Sequence, residues 1–462
     1  MTSAPSWLRR LALACGASAA LGLFATGLAM SGSPNDPLFT SGQQWGLNGS
    51  AGISAPSAWP AATGGGVIVG DVDTGADFNN PDLAGKLIPG ARLTSQDGTV
   101  TATGQAAVQD DNCSASNSEY GHGSMTTGIM VAATNNGRIM AGVAPDAMAL
   151  VVKVLDSSGS GADVDVANGI IYAANHGARV INLSIGPTVP TITLSGDPSA
   201  VGKAIVEVSN TSLVVVAAGN NGTPFADYPG ASDVALVVGA VGPAGEKGVY
   251  STTGGVNIWA PGGDDPTLGS MPSREIYSTV IVSCDRNGYN YAQGTSMAAP
   301  HVAGVAALLA GAPCNLSTPA AIRNQILATA RAASAGPEAD AGRAVATCHG
   351  ASAGGGRPGP SSGTGGSRPE AGGAPGSSGA AGRQALASSP SAPPTSPSPS
   401  GGAVAQMPTG EPGAGTAGVP GTRGSNSIAA PIVGAIGLLV VAVAGVLAAL
   451  WRRRRSQGAG ME

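Results

Sequence analysis

"GGGVIVGDVDTG", residues 64–75, is a short apolar run that ends in turn residues. The same pattern returns in "MALVVKVLD" (148–156), "ARVINLSIG" (178–186), "SLVVVAAGN" (212–220) and "VALVVGAVG" (234–242). These runs are too continuous for strands with one wet face, and they predict parallel strands buried on both sides. Helical stretches lie between them, for instance residues 164–178. The alternation predicts an α/β fold, a doubly wound and mostly parallel sheet with helices on both faces. In such open sheets functional groups gather at the carboxyl ends of the strands.

Four polar residues sit where those ends should be. Asp73 follows the first run, and Asn220 closes "VVVAAGN". His122 lies between two glycines in "YGHGSMTTGIMVAA", and Ser296 opens a small-residue run in "YAQGTSMAAPHVAG", residues 291–304. Each has a plain structural explanation. A serine there would cap a helix starting near Met297, with Pro300 in its first turn; a histidine between glycines suits a turn; an asparagine after glycine tolerates a left-handed conformation. Together they are the groups acyl transfer requires. A serine hydroxyl becomes a nucleophile when an imidazole takes its proton. A carboxylate fixes the tautomer of that imidazole and stabilises its cation. A side-chain amide and a backbone N–H at a helix start can hold the oxyanion.

The rest of the chain sets the context. Only 11% of its 462 residues are charged and the net charge is −5, so no nucleic-acid partner is expected. Residues 1–30 read as an export signal, with Arg9 and Arg10 before an apolar stretch and Gly27-Leu28-Ala29 as a cleavage pattern. Too few apolar residues precede Cys15 for a lipid-anchor reading. Residues 35–349 form the folded domain. Residues 350–427 are a Gly/Pro/Ser/Ala tract without an aromatic residue, expected to be a disordered linker. Residues 428–451 hold the transmembrane helix, because 432–451 carry no charge and would span about 30 Å as a helix. Arg452 to Arg455 begin a basic cytoplasmic tail, 452–462, which places everything before the span outside the cell membrane. Four cysteines remain after processing and allow three disulfide connectivities. Cys113–Cys284 with Cys314–Cys348 is favoured, the second pair clipping the last helical stretch.

The motifs resemble those of the subtilases, the subtilisin-like serine peptidases. "DVDTGADFNNPDL", "GHGSMTTGIMVAA" and "GTSMAAPHVAG" are similar to the family's aspartate, histidine and serine motifs, in the family's order. The resemblance implies a serine endopeptidase with Asp73 as orienting acid, His122 as general base and acid, and Ser296 as nucleophile. It further implies Asn220 as oxyanion donor in "AAGNNG" and Ser184, Ile185 and Gly186 as a substrate-binding edge in "INLSIG". Ser124 stands where the family usually has threonine, which keeps a hydroxyl. Pro187 removes an N–H next to the edge segment, so specificity is expected to differ rather than chemistry. His301, on the nucleophile's helix, reads as structural. No cofactor is needed for the chemistry; the resemblance implies a structural calcium site near Asp36, Asp82 and Asn136, residues that otherwise suit surface turns. "NDPLFTSGQQWGL", from residue 35, resembles the start of a mature domain, so no folded pro-domain is expected.

The layout of signal, peptidase domain, linker, span and basic tail resembles the mycosins, membrane-anchored peptidases of type VII secretion. That resemblance implies protein or peptide substrates, the cell membrane and type VII secretion membrane components as partners. The alternatives are a general cell-surface subtilase, a scaffold of a secretion complex with dispensable activity, and a surface binding module.

Overall fold

The computed structural model describes residue 30 and residues 33–113, 120–186, 199–224, 233–267 and 269–353. These fall within one compact unit, residues 1–363. The signal apart from residue 30, the span at 428–451 and the tail at 452–462 lie outside the described residues, as does the linker beyond residue 353. Among the described residues no helix is long and apolar enough to cross a membrane.

The apolar runs form the strands β1 (Ile68–Asp73), β4 (Met148–Lys153), β5 (Val180–Leu183), β6 (Leu213–Ala217) and β7 (Leu236–Val241). The shorter strands are β2 (Leu87–Arg92), β3 (Ala102–Thr103), β8 (Ile258–Pro261), β11 (Arg331–Ala332) and β12 (Pro337–Glu338). All join one ten-stranded sheet in the order β11-β12-β8-β7-β6-β5-β1-β4-β2-β3. Only β2–β3 and β11–β12 pair antiparallel; the other neighbours are parallel. Every residue of β5, β6 and β7 is buried, as expected for strands covered on both faces. After β4 the chain returns to the other side of β1 to lay down β5, β6, β7 and β8 in turn. The β1–β5 boundary is therefore a topological switch point, where ligands bind in open α/β sheets.

Helices cover both faces. The short ones are α1 (Pro37–Thr40), α2 (Trp45–Asn48), α3 (Ala55–Ala58) and α4 (Gln105–Val108); the longer ones are α5 (His122–Val131), α6 (Asp163–Asn175), α7 (Ala200–Val208), α8 (Thr295–Ala310), α9 (Pro319–Thr329) and α10 (Ala341–Ala353). Side chains alternate across a strand, so Val69 joins the core under α5 and α8 while Val72 joins the core under α6 and α7. Asp71 and Asp73 share the face of Val69 and point at α5. Burying a valine or leucine here contributes about 1.5–3 kcal/mol. Ser199 and Thr318 cap α7 and α9 by accepting from Gly202 N and Ala321 N, each cap worth about 1 kcal/mol. A separate antiparallel pair, β9 (Ile276–Thr279) with β10 (Tyr289–Ala292), leads into α8.

Two boundaries differ from the sequence reading. The helix that carries Ser296 starts at Thr295, not near Met297, and its N-cap position is Gly294. Ser296 is thus inside the helix and is not its cap. Pro300 falls beyond the first turn, where its missing N–H deprives the Ser296 carbonyl of its helical partner. The Ser184 hydroxyl donates to that carbonyl at 2.9 Å, which offsets the loss and explains why the helix tolerates the proline. At the other end α10 continues to Ala353, past the boundary drawn at residue 349, through alanines that favour helix. The disulfides join Cys113 to Cys284 and Cys314 to Cys348, with Cα separations of 5.7 and 5.4 Å. The second ties α10 to the chain just after α8.

Candidate active site

Asp73 is the last residue of β1, and His122 is the first of α5. The two elements approach closely because residue 123 is glycine: a Cβ there would lie 2.1 Å from the Gly75 carbonyl oxygen. The Thr74 hydroxyl accepts from Gly123 N at 2.8 Å, fixing the first turn of the helix on the end of the strand. His122 Nδ1 consequently faces both oxygens of Asp73, at 2.7 and 2.9 Å. A carboxylate only accepts, so Nδ1 carries the proton, and Nε2 is the ring position that can take one up. The Asp73 side chain is 1% exposed and that of His122 11%, so the contact is shielded from water. β9 braces the helix, with Ser278 and Thr279 hydroxyls donating to the Met125 and Ser124 carbonyls. Ser124 donates to Asp110 at 2.7 Å and accepts from Asp77 N at 3.0 Å, so the hydroxyl that replaces threonine is fully used.

Burial singles out two side chains. In α5 every residue from Gly123 to Val131 is buried, and only His122 is not. In α8 every residue is buried except Ser296. Each helix thus presents one reactive group at its N-terminal end and hides the rest. Ser296 is placed through Ser184, which follows β5, and Asn220 follows β6. Strands β1, β5 and β6 are consecutive neighbours, spaced about 4.8 Å apart, so the four polar residues lie at the same carboxyl end of the sheet.

The Asn220 amide has a defined orientation. Its Oδ1 accepts from Thr295 N and from the Thr295 hydroxyl, both at 2.9 Å. The same hydroxyl accepts from Gly219 N at 3.1 Å. With its oxygen pinned at the start of α8, the amide presents Nδ2 as the donor. Thr295 is a site residue the sequence reading missed, although it is the neighbour of Ser296 in the motif. Ser184 is buried and its hydroxyl is spent on Ser296; Ile185 is half-buried and Gly186 exposed, so 185–186 are the accessible part of the expected edge. Residues 187–198 lie outside the described residues.

The calcium candidates do come together. Asp36 accepts from Asn135 N and Asn136 N at 2.7 and 3.2 Å, and Asp82 accepts from Asn136 Nδ2 and Met140 N at 3.0 and 2.8 Å. Both aspartates are buried, which pushes both carboxyls above their ordinary range; the charge of Asp36 pushes Asp82 further up. The two crowded carboxylates suit a hard cation, whereas Asn136 turns its Nδ2 to Asp82 while its Oδ1 accepts from Arg138 N at 2.8 Å. Among the described residues no three His, Cys, Asp or Glu side chains cluster as metal ligands.

His301 is away from the pair. Its Nδ1 donates to the Met297 carbonyl at 2.8 Å, and its Nε2 lies 2.7 Å from where a side chain on Gly46 would begin. Burial depresses its pKa to about 4 from the ordinary 6.5, so it is neutral in the folded protein. The unfolded chain therefore binds more protons between those values, and stability must fall as pH drops from 6.5 towards 4. The loss reaches roughly 3 kcal/mol from this one group. Chemical denaturation across that range should show a shallower pH slope for His301→Gln than for the parent; equal slopes would refute the assignment.

A family model described as the subtilase family matches residues 64–358. Thermitase from Thermoactinomyces vulgaris is 42% identical over 279 residues, covering 60% of this chain and 85% of thermitase. The major intracellular serine protease of Bacillus subtilis is 35% identical over 265 residues, covering 56% of this chain and 72% of the relative. A solved protease structure from Pseudoalteromonas arctica superposes with a TM-score of 0.57 at 32% identity, over 69% of this chain and all of that one.

Proposed function

The chain belongs to the subtilase family and is a subtilisin-like serine endopeptidase, and from that premise we propose that Asp73, His122 and Ser296 are its catalytic triad, with Asn220 as oxyanion donor. The observation that carries this is the pairing of the His122–Asp73 contact with the sole accessible side chain of α8, Ser296. His122 Nε2 takes the proton as Ser296 Oγ attacks the scissile carbonyl. Asp73 accepts from Nδ1–H and stabilises the imidazolium. The tetrahedral oxyanion is met by Asn220 Nδ2 and the Ser296 backbone N–H at the positive end of α8. The imidazolium then protonates the leaving amine, and water, activated the same way, hydrolyses the acyl-enzyme. Backbone at residues 185 and 186, the accessible end of the 184–186 segment, binds the extended substrate by strand addition. A fluorophosphonate adduct mapped by peptide mass spectrometry tests the assignment. It should sit on Ser296 and vanish in His122→Ala; modification of another serine would sink it.

The Asp36 and Asp82 carboxylates, joined by Asn136 Oδ1 once its amide turns over, would hold a structural calcium ion. Its charge would relieve the repulsion between the two carboxylates, so binding adds directly to folding stability. Dialysis against a chelator should lower Tm by several degrees, and calcium should restore it better than magnesium does, since the smaller ion demands tighter octahedral geometry. A Tm indifferent to chelator leaves these groups as loop-closing acids only.

The finer reading is a membrane-anchored, exported peptidase of mycosin type serving type VII secretion. The uncharged stretch at 432–451 and Arg452 to Arg455 support it. Ending the chain at residue 427 should release an active peptidase into the medium. If the full chain is also found free in the medium, the anchor is wrong; if type VII export and substrate processing are normal in its absence, the secretion role is wrong.

A further inference from the structure

Asp71 is a buried acid that the triad chemistry does not use. Asp71 precedes Asp73 by two positions on β1, so the two carboxyls share a face of the sheet. Asp71 is 1% exposed, and polar groups from two elements meet its carboxylate. From α5, the Thr126 and Thr127 hydroxyls reach its Oδ2 at 2.8 and 2.5 Å. From β5, directly paired with it in register, Asn182 Nδ2 donates to its Oδ1 at 2.9 Å. All three partners are fully buried.

The contacts continue to both reactive groups. Thr126 lies one helical turn after His122 and also bonds the Gly123 carbonyl at 3.1 Å. Asn182 Nδ2 meets the Ser184 hydroxyl at 3.0 Å, and Ser184 donates to the carbonyl that Pro300 leaves without a helical partner, that of Ser296. Asp71 is the point where the arm to the histidine helix and the arm to the serine helix meet. A buried acid costs stability unless its hydrogen bonds are complete. Burial, then the charge of Asp73, push its pKa up to about 7, while Thr127, Asn182 and Thr126 pull it back. A valine or isoleucine, common in buried strands, would fill the position without that cost.

We propose that Asp71 is a positioning residue of the catalytic apparatus, a hydrogen-bonded hub that fixes α5 against β5 and so sets the placement of His122 relative to Ser296. This rests on the peptidase assignment above. It acts by geometry: a reacting group displaced by about 1 Å loses on the order of 100-fold in turnover.

The test is steady-state hydrolysis of a peptide amide by folded Asp71→Ala and Asp71→Asn, with fluorophosphonate labelling rates and pH profiles. Asp71→Ala should lose roughly 100-fold in kcat with KM nearly unchanged, since the hub sits behind the reacting groups and meets the edge segment only at its buried end, Ser184. Asp71→Asn should recover most of that loss: its oxygen can accept from Asn182 and its NH2 can donate to the threonine oxygens. Should Asp71→Ala fail to fold, the shape-conserving pair Thr126→Val and Thr127→Val cuts the α5 arm alone and should give the same fall in kcat. Undiminished kcat in Asp71→Ala or in the valine pair would overturn the proposal. So would an Asp71→Asn enzyme as poor as Asp71→Ala with its acidic limb displaced, because the role would then be charge and not position. A parent protein that fails to label would instead remove the peptidase assignment, a separate failure.

Discussion

Replacing Ser296 by alanine is expected to lower kcat on peptide amides by about 10⁵- to 10⁶-fold. The size follows from the arrangement. Hydroxyl, imidazole and carboxylate act as a unit, so removal of one leaves little for the others to do. His122→Ala should reach nearly the same floor, and the double variant should be no worse than either single. The floor should still lie about 10³- to 10⁴-fold above the uncatalysed rate, since the oxyanion donors and the substrate edge survive. Folding should hardly change: Ser296 is the one residue of α8 that is not buried, and the strut from Ser184 contacts its backbone carbonyl, which alanine retains. A Ser296→Ala enzyme within about tenfold of the parent would falsify the triad.

The second large effect is expected at Asn220. Changing it to alanine should lower kcat by roughly 10²- to 10³-fold, the loss seen when one oxyanion donor is removed from a subtilisin, with KM little altered. KM is spared because Nδ2 serves a charge that exists only after attack. Thr295 separates the orienting group from the donor. Thr295→Val keeps the shape but frees the Asn220 oxygen from one of its two anchors. It should therefore show an intermediate loss in kcat, with Asn220→Ala and the double variant alike. Equal KM and kcat effects at Asn220 would point to ordinary substrate binding instead.

The parallel sheet was legible because its strands are hydrophobic on both faces, so "LVVVA" and "LVVGAV" stand out without alternation. The acid, imidazole, amide and hydroxyl were legible as motif residues at strand ends and helix starts. The disulfide pairing could be favoured from sequence but not fixed by it, since four cysteines permit three pairings; only folding brings residues 171 apart to 5.7 Å. The start of α8 was misplaced because Pro300 usually marks a first turn, and the strut that lets it sit deeper comes from Ser184, 112 residues earlier. The Asp71 hub went unread for a similar reason. Two acids separated by one residue, and two threonines in an apolar helix, carry meaning only once β1, β5 and α5 are packed together. The orientation of Asn220 likewise depends on α8 docking against the end of β6.

One consequence of the Cys113–Cys284 bridge concerns a hazard peculiar to a protein that cuts peptide bonds. The bridge closes the chain into a ring that begins just before His122 and ends just before Ser296. A single break anywhere between the two cysteines opens the ring but detaches nothing. The piece bearing Asp73 stays covalently joined to the piece bearing Ser296. Self-inflicted damage in a surface loop thus becomes a nick instead of a dismemberment, provided the molecule matures where thiols are oxidised.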